Sequence, residues 1–476
     1  MAKPAILWFR QDLRLADNPA LAALEGRPLL PVYFLEEGPE APGGAARWWL
    51  HHSLAALGRA LAARGAPLLL LRGDARQVLP ALAAEIGAEE VHAGRRTEPL
   101  ARRRDAETHA ALQDAGVRLV LHRTALLHEP HLVRTGGGKP YSVYTPFARA
   151  VFGLLEELPP PLPAPDRLVP ASGARQGLGL DSLHLLPRPP EPNWAADFPA
   201  HWTPGEEGAA ARLDAFLEQG LAGYADRRND PAAERGTSGL SPHLHLGEVS
   251  PRQVWHAAKA KGGRGLETFL KELLWREFSH HLLWHRPEMP EAPLRPEFAA
   301  FPWRPDAALL RAWQRGRTGY PIVDAGMRQL WRIGWMHNRV RMIAASFLVK
   351  HLLQPWQDGE AWFRDTLVDA DIAANSASWQ WVAGCGADAA PYFRIFNPVL
   401  QGEKFDAAGA YVRRWCPELA RLPDRWIHRP HEAPEMVLRG AGVTLGRNYP
   451  APVMGLSEGR AAALAAFAAV KGTEAA

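Results

Sequence analysis

Asp371, Asn375 and Trp379 have the types and the spacing to hold a large ring with polar edges. Laid on a helix, they fall at i, i+4 and i+8 and share one face. The alternative for this triplet is a surface helix with a mixed face. The run after Gly384 is rich in Gly and Ala and poor in charge, which predicts close packing or a cavity wall. Two upstream segments carry comparable stripes. Glu272, Trp275, Arg276 and Ser279 fall at i, i+3, i+4 and i+7, and an acid, an aromatic and an arginine on one stripe are costly to bury unless they pair or meet a ligand. Trp335, Asn338, Arg341 and Met342 share a second face, with Arg339 to one side. Each stripe alone reads as a solvated or salt-bridged edge. Three in one helical region favour a common polar, aromatic-lined cavity. A fourth segment, 224–247, pairs Ser241 as N-cap with Pro242 at the first helical position, and sets the Thr237, Ser238 and Ser241 hydroxyls beside free backbone N–H groups. Such a helix start suits a phosphate or pyrophosphate, although plain capping is the first reading of that segment by itself.

The elements that must position these residues follow from the hydrophobic pattern. Apolar runs at 5–10, 29–35, 67–73, 89–94 and 118–123 alternate with helical patterns rich in Ala, Leu and Arg. That alternation predicts a parallel sheet covered on both faces, with ligands at the carboxyl ends of the strands. Asn18 or Asp17 caps the first helix, with Pro19 at its first position. No GxGxxG follows the first strand. The Gly136–Lys139 run lacks the spacing of a phosphate loop and reads as a turn. From about residue 130 to 204 the chain is Pro-rich and weakly periodic, a linker expected to run extended along the surface. After Glu206 the pattern is helical nearly to the end. The expected domains are therefore 1–130 (α/β), 131–204 (linker) and 205–476 (all-α).

Bulk composition narrows the class. The chain has 476 residues, 47% hydrophobic and 22% charged, as in an ordinary globular protein. No apolar run reaches the length of a membrane span and no signal-peptide pattern opens the chain. Cys385 and Cys416 are the only cysteines, in no metal-type spacing, which fits a reducing cytoplasm. His281 and His285 form an i, i+4 pair without an evident third ligand, so no metal site is expected. A formal charge of +4 is compatible with DNA without demanding it. Eighteen Trp are harder to dismiss, since that density suits ring stacking or electron transfer as well as core.

The segments WFRQDLRLADNPAL (8–21), YSVYTPF (141–147), GTSGLSP, LLWREF, GWMHNRVRM and WQWVAGCGADAAPYFRIFNPVLQGEKFD together resemble the photolyase/cryptochrome family, and within it the class I bacterial cyclobutane pyrimidine dimer (CPD) photolyases. The resemblance covers almost the whole chain. It implies an N-terminal Rossmann-like α/β domain joined by the long Pro-rich linker to an all-α FAD-binding domain. Tyr224 and the loop Thr237, Ser238, Gly239, Leu240 and Ser241 would hold the phosphates of a folded FAD. Arg276 and Asp371 would contact the cofactor, Arg341 and Asp369 would pair beside it, and Asn375 would lie near the reactive flavin nitrogen. Trp379, Trp356 and Trp303 match the family's electron-transfer chain.

The same resemblance implies light-driven repair of a dimer flipped out of damaged DNA, read without regard to sequence. Glu272 and Asn338 would hydrogen-bond the bases, Trp275 and Trp381 would stack on the lesion, and Met342 would pack beneath it. A Met and a Trp in place of a histidine pair favour the cyclobutane lesion over the (6-4) photoproduct. Arg228, Ser279, Arg339, Arg394 and Gln401 match positions near the DNA, with Lys404, Arg413 and Arg414 adding charge. A cytoplasmic monomer is expected. In this family the α/β domain holds a second, antenna chromophore, and here methenyltetrahydrofolate, a deazaflavin, another flavin and none all stay open. Leu100 and Ala101 stand where folate-binding forms carry Asn-Glu, and Arg96 where deazaflavin-binding forms carry an acid, while Glu98 and Pro99 are retained. The alternatives are a cryptochrome-like photoreceptor or a (6-4) photolyase.

Overall fold

The computed structural model describes residues 2–35, 38, 41–188, 192–388 and 394–473. The chain divides into two compact units. One comprises Met1–Ala222, Ser238–Pro287 and Val368–Ala373; the other comprises Gly223–Thr237, Glu288–Leu367 and Ala374–Ala476. We call them the sheet unit and the helical unit. This division differs from the expected boundaries at 130 and 204, because Ser238–Pro287 and Val368–Ala373 cluster with the N-terminal segment.

The five predicted strands are present: β1 (Ala5–Phe9), β2 (Pro28–Leu35), β3 (Leu69–Arg72), β4 (Glu90–Gly94) and β5 (Arg118–His122). All pair in parallel, in the order β3-β2-β1-β4-β5. Their apolar runs are near-continuous because helices cover the sheet: Ile6, Trp8, Val32, Phe34 and Val91 pack with Leu79, Leu82 and Leu112 in one buried cluster. Asn18 caps the first helix, its Oδ1 accepting from the Ala20 and Leu21 amides. The 136–139 run is a turn, closed by the Gly138 amide on the Thr135 carbonyl at 2.8 Å.

The 131–204 segment is more than an extended linker. Val169–Pro170 forms β6, pairing with β2. Tyr144–Leu154 is a helix whose Tyr144 ring stacks on Trp275 at 3.6 Å, and whose Phe147 meets Phe278 at 5.1 Å. Apolar spacing in YTPFARAVFGL outweighs the surrounding prolines.

Strand order reverses between β1 and β4, where doubly wound sheets usually open a crevice. Here that point is filled. Gly94 ends β4 so close to its neighbours that an added Cβ would lie 2.2 Å from Thr124 Oγ1 and 2.5 Å from Asp12 Oδ2. Gly247, at φ +71, presses on the Gln11 carbonyl from the Ser238–Pro287 segment.

The helical unit is built around Pro321–Ile333, Asn338–Ser346, Trp356–Thr366 and Leu456–Thr473. Asp324 ties its turns together. Fully buried, its carboxylate accepts from the Thr318 amide (2.6 Å) and hydroxyl (2.7 Å), the Gly319 amide (3.0 Å) and the Tyr449 hydroxyl (2.8 Å).

Gly87 and Gly247 have the same left-handed backbone, φ +68 and +71, but nothing lies within 4 Å of a Cβ at Gly87. Gly87→Ala should therefore cost about 1–2 kcal/mol of unfolding free energy. Gly247→Ala should cost that plus about 1–3 kcal/mol for the overlap. Equal losses in thermal unfolding would mean that the loop after β1 simply moves aside.

Candidate functional site

In the sheet unit the Leu266–His285 helix carries Glu272, Trp275, Arg276 and Ser279. Glu272, Trp275 and Arg276 are half-buried. One face of the Trp275 indole is taken by Tyr144, so stacking on a base would use the other. The Ser279 hydroxyl is buried and donates back to the Trp275 carbonyl at 3.0 Å, leaving it only acceptor capacity toward DNA. Arg276 donates to the Ala125 carbonyl (2.8 Å) and lies 3.7 Å from Glu277. Glu277, which sequence reasoning missed, is fully buried and takes the Leu127 amide at 3.0 Å and His128 at 2.8 Å.

Asp371 does not belong to the helix. The helix runs Ile372–Ala383, and the Asp371 amide closes a tight turn on the Asp369 carbonyl at 2.7 Å. The turn, not helical periodicity, aims its carboxylate, which meets His280 at 3.3 Å. Burial pushes the Asp371 carboxyl up, but His280, with Arg276 and His245, outweighs it and holds the group well below the usual carboxylate range. Glu98 behaves alike: burial raises it, and the Arg96 guanidinium, at 2.8 Å, brings it down to about 2. Arg96 and Glu98 are thus each other's partners. Asp369 lies in the same unit and is also buried.

The expected cap at Ser241 is corrected. The short helix Ser241–Leu246 has Leu240 before it, already at helical dihedrals (φ −84, ψ −8), and no side-chain capping bond. Ser241 is the first helical residue because the turn begins one residue earlier, and the Ser238 hydroxyl instead accepts from the Leu240 amide at 3.4 Å. Gly239 takes φ +63 beside Arg212. The division between units falls between Thr237 and Ser238.

The helical unit holds Tyr224, Thr237, Asn375 and the tryptophans. Trp379 and Trp356 are both 2% exposed and Trp303 is partly exposed. The Trp379 ring seats on Gly359, one turn from Trp356, where a Cβ would lie 2.1 Å from it. It also meets Phe363 edge-on at 5.0 Å. Asn375 donates to the Glu360 carboxylate at 2.8 Å, a partner the sequence did not announce; burial raises the Glu360 carboxyl. The Ser376 Oγ and Trp379 Nε1 are buried without hydrogen-bond partners among the described residues. Orphaned polar atoms on a helix that also carries Asn375 fit a large polar ring system as ligand.

Trp335 lies outside the helix that starts at Asn338, because Gly334 ends the preceding one at φ +67. Asn338 is exposed at that helix start, with Met342 half-buried one turn on and Arg341 bonded to the Met336 carbonyl at 2.7 Å. Trp381 is half-buried and Gln401 partly exposed. Arg339 is braced, donating to Asn229 at 2.8 Å and lying 4.5 Å over Phe405; Arg228 lies 5.7 Å over Tyr224, and Arg394 is exposed. Arg413 and Arg414 are engaged structurally, with the Leu422 carbonyl (2.8 Å) and Glu234 (3.0 Å) respectively. The Gly/Ala-rich run packs closely at Cys385 and Gly386, and 389–393 lie outside the described residues.

A cavity of about 620 Å³ opens at the carboxyl ends of β1, β2 and β3. Trp8, Phe34, Arg72, Arg76, Leu100 and Arg104 are among its walls. No helix among the described residues is long and apolar enough to cross a membrane.

Two family models match: "DNA photolyase" over residues 5–166 and "FAD binding domain of DNA photolyase" over 269–469. The chain is 52% identical to a deoxyribodipyrimidine photo-lyase of Agrobacterium fabrum, over 99% of this chain and 98% of the relative. It is 38% identical to Cryptochrome-1 of Arabidopsis thaliana, over 96% of this chain and 69% of the relative. Its fold superposes on a bacterial class III photolyase from Agrobacterium tumefaciens with a TM-score of 0.95, at 51% identity, covering 99% of this chain and 98% of the other. With the parallel-sheet and helical units in place and likeness running from end to end, the chain belongs to the photolyase/cryptochrome family.

Proposed function

We propose that the protein is a light-dependent DNA photolyase that repairs cyclobutane pyrimidine dimers with bound FAD. The observation that carries this reading is the end-to-end 52% identity to the A. fabrum deoxyribodipyrimidine photo-lyase. The 51% identity to a class III photolyase favours that class over the class I expected from sequence. Reduced FAD, when bound, supplies the light-absorbing one-electron chemistry. Tyr224, the 237–241 loop, Arg276, Asp371 and Asn375 bind and orient it; the pairing of Arg341 with Asp369 is carried over from the family. Glu272 and Asn338 hydrogen-bond the flipped bases, Trp275 and Trp381 stack on them, and Met342 packs beneath. Trp303, Trp356 and Trp379 pass electrons inward, from a partly exposed ring to two buried ones. Arg228, Arg339, Arg394 and Gln401 meet the DNA backbone. The cavity at the strand ends, where Trp8 and Phe34 meet Arg72, Arg103 and Arg104 and where Asp74 and Glu107 engage Arg76, suits a planar second chromophore with an anionic group. A second reading, a cryptochrome-like photoreceptor, draws on the Arabidopsis relative.

The deciding experiment is repair of a thymine-dimer oligonucleotide by reduced protein, with and without blue light. Light-dependent recovery of intact thymines supports the photolyase reading. Bound FAD without CPD repair favours the photoreceptor, and a (6-4) substrate in the same assay separates the remaining alternative.

Trp379→Phe should abolish photoreduction of oxidised flavin, followed by absorbance under steady illumination, while chemically reduced protein keeps most of its repair. Loss of both would place Trp379 in lesion binding. Glu272→Ala should lower repair yield by about 10- to 100-fold while FAD content per chain stays near wild type. A mutant that purifies without flavin would reassign Glu272. Arg394→Ala should weaken binding to damaged and undamaged DNA equally and reduce the salt slope by about one; an unchanged slope would remove Arg394 from the interface.

A further inference from the structure

Thr97 leaves the carboxyl end of β4 and is 5% exposed. Its hydroxyl lies 2.7 Å from His280 Nδ1, on the Leu266–His285 helix. His280, 3% exposed, turns its other ring nitrogen to Asp371 at 3.3 Å. All three residues belong to the sheet unit. The His280 Nε2 is buried and within ion-pair distance of Asp371 without a well-aligned hydrogen bond; beside an ionised carboxylate, which can only accept, its protonated form is the favoured one. The Thr97 hydroxyl then completes Nδ1, donating to a neutral ring or accepting from a charged one, and so fixes which nitrogen faces Asp371. Thr97 is itself anchored: its amide donates to Glu98 at 3.0 Å, and Glu98 is gripped by Arg96. A buried ionic chain of this kind costs more than apolar packing of similar volume, so stability alone does not account for it.

We propose that Thr97 and His280 are positioning residues for the flavin site. Through them the loop after β4 holds the Asp371 carboxylate in one orientation and tempers its negative charge toward the cofactor. The inference rests on the FAD reading above and assigns two residues which that reading leaves out. Without the Thr97 hydroxyl the imidazole is free to change tautomer, and Asp371 faces the flavin less compensated. Negative charge near the ring opposes its reduction, so the flavin potential falls, and an Asp371 no longer held in one orientation contacts the cofactor less well, so binding weakens.

The test compares wild type, Thr97→Val and Thr97→Ser as purified full-length holoprotein, and reads the FAD dissociation constant and the midpoint potential of bound flavin. Thr97→Val should raise the dissociation constant up to about tenfold, the size of one hydrogen bond, and make the potential more negative. Thr97→Ser should restore both. Wild-type values in Thr97→Val, or a serine variant as impaired as the valine one, would overturn the proposal. Should Thr97→Val fail to fold, His280→Phe, which keeps a ring and removes both nitrogens from Thr97 and Asp371, should show the loss of both readouts, and unchanged values there would overturn it equally. A wild-type protein that takes up no FAD would instead overturn the functional reading, and the relay with it; FAD-loaded wild type beside an unaffected Thr97→Val removes the relay alone.

Discussion

Arg14 is fully buried, and its guanidinium binds three backbone carbonyls: Asp17 at 2.7 Å, Thr124 at 2.6 Å and Gly247 at 2.9 Å. Those carbonyls belong to the loop after β1, the segment after β5, and the turn that ends the Ser241–Leu246 helix. One cation thus joins the sheet's upper loops to the helical segment that carries Arg276 and His280. Burial lowers the guanidinium's affinity for its proton, and Asp12 and Asp17 oppose that loss. Removing the side chain would leave three carbonyls buried without a donor, so the arrangement is kept by the cost of breaking it more than by its net worth.

The same principle recurs across the sheet unit. Glu248 accepts from the Trp49 indole at 2.9 Å and from the Gly205 amide at 2.7 Å. Asp17 receives Ser250 and Arg252, and Arg10 binds Asp105 beside the Gly94 carbonyl. Each carboxylate is buried and each is matched. A scaffold of satisfied charges is stiff, because any shift that loosens one bond exposes an ion to an apolar interior. That stiffness keeps a carboxylate such as Asp371 in one orientation.

The helical unit uses shape where the sheet unit uses charge. Gly359 lets the Trp379 indole lie directly on its neighbouring helix, and Trp313 and Phe363 close round it at 6.1 and 5.0 Å. Close aromatic packing keeps water away from the inner tryptophans, while Trp303 stays within reach of solvent.

Much was legible in the chain itself. The five strands, their parallel pairing, the Asn18 cap and the turn at 136–139 follow from patterns that act over a few residues. The stripe on the Leu266–His285 helix follows from 3.6-residue periodicity, and the family itself follows from the motifs. Local pattern failed where neighbouring elements decided. Tyr144–Leu154 is helical within a Pro-rich stretch because its apolar face meets Trp275 and Phe278. Ser241 loses its cap because Leu240 has already entered the helix. Trp335 and Asp371 stand outside the helices whose periodicity seemed to claim them. Nothing in the sequence pairs Thr97 with His280, 183 residues away, or gives Asn375 to Glu360. Type and period are written into each short segment, but which buried charge meets which partner depends on how distant segments pack, and only the tertiary structure decides that.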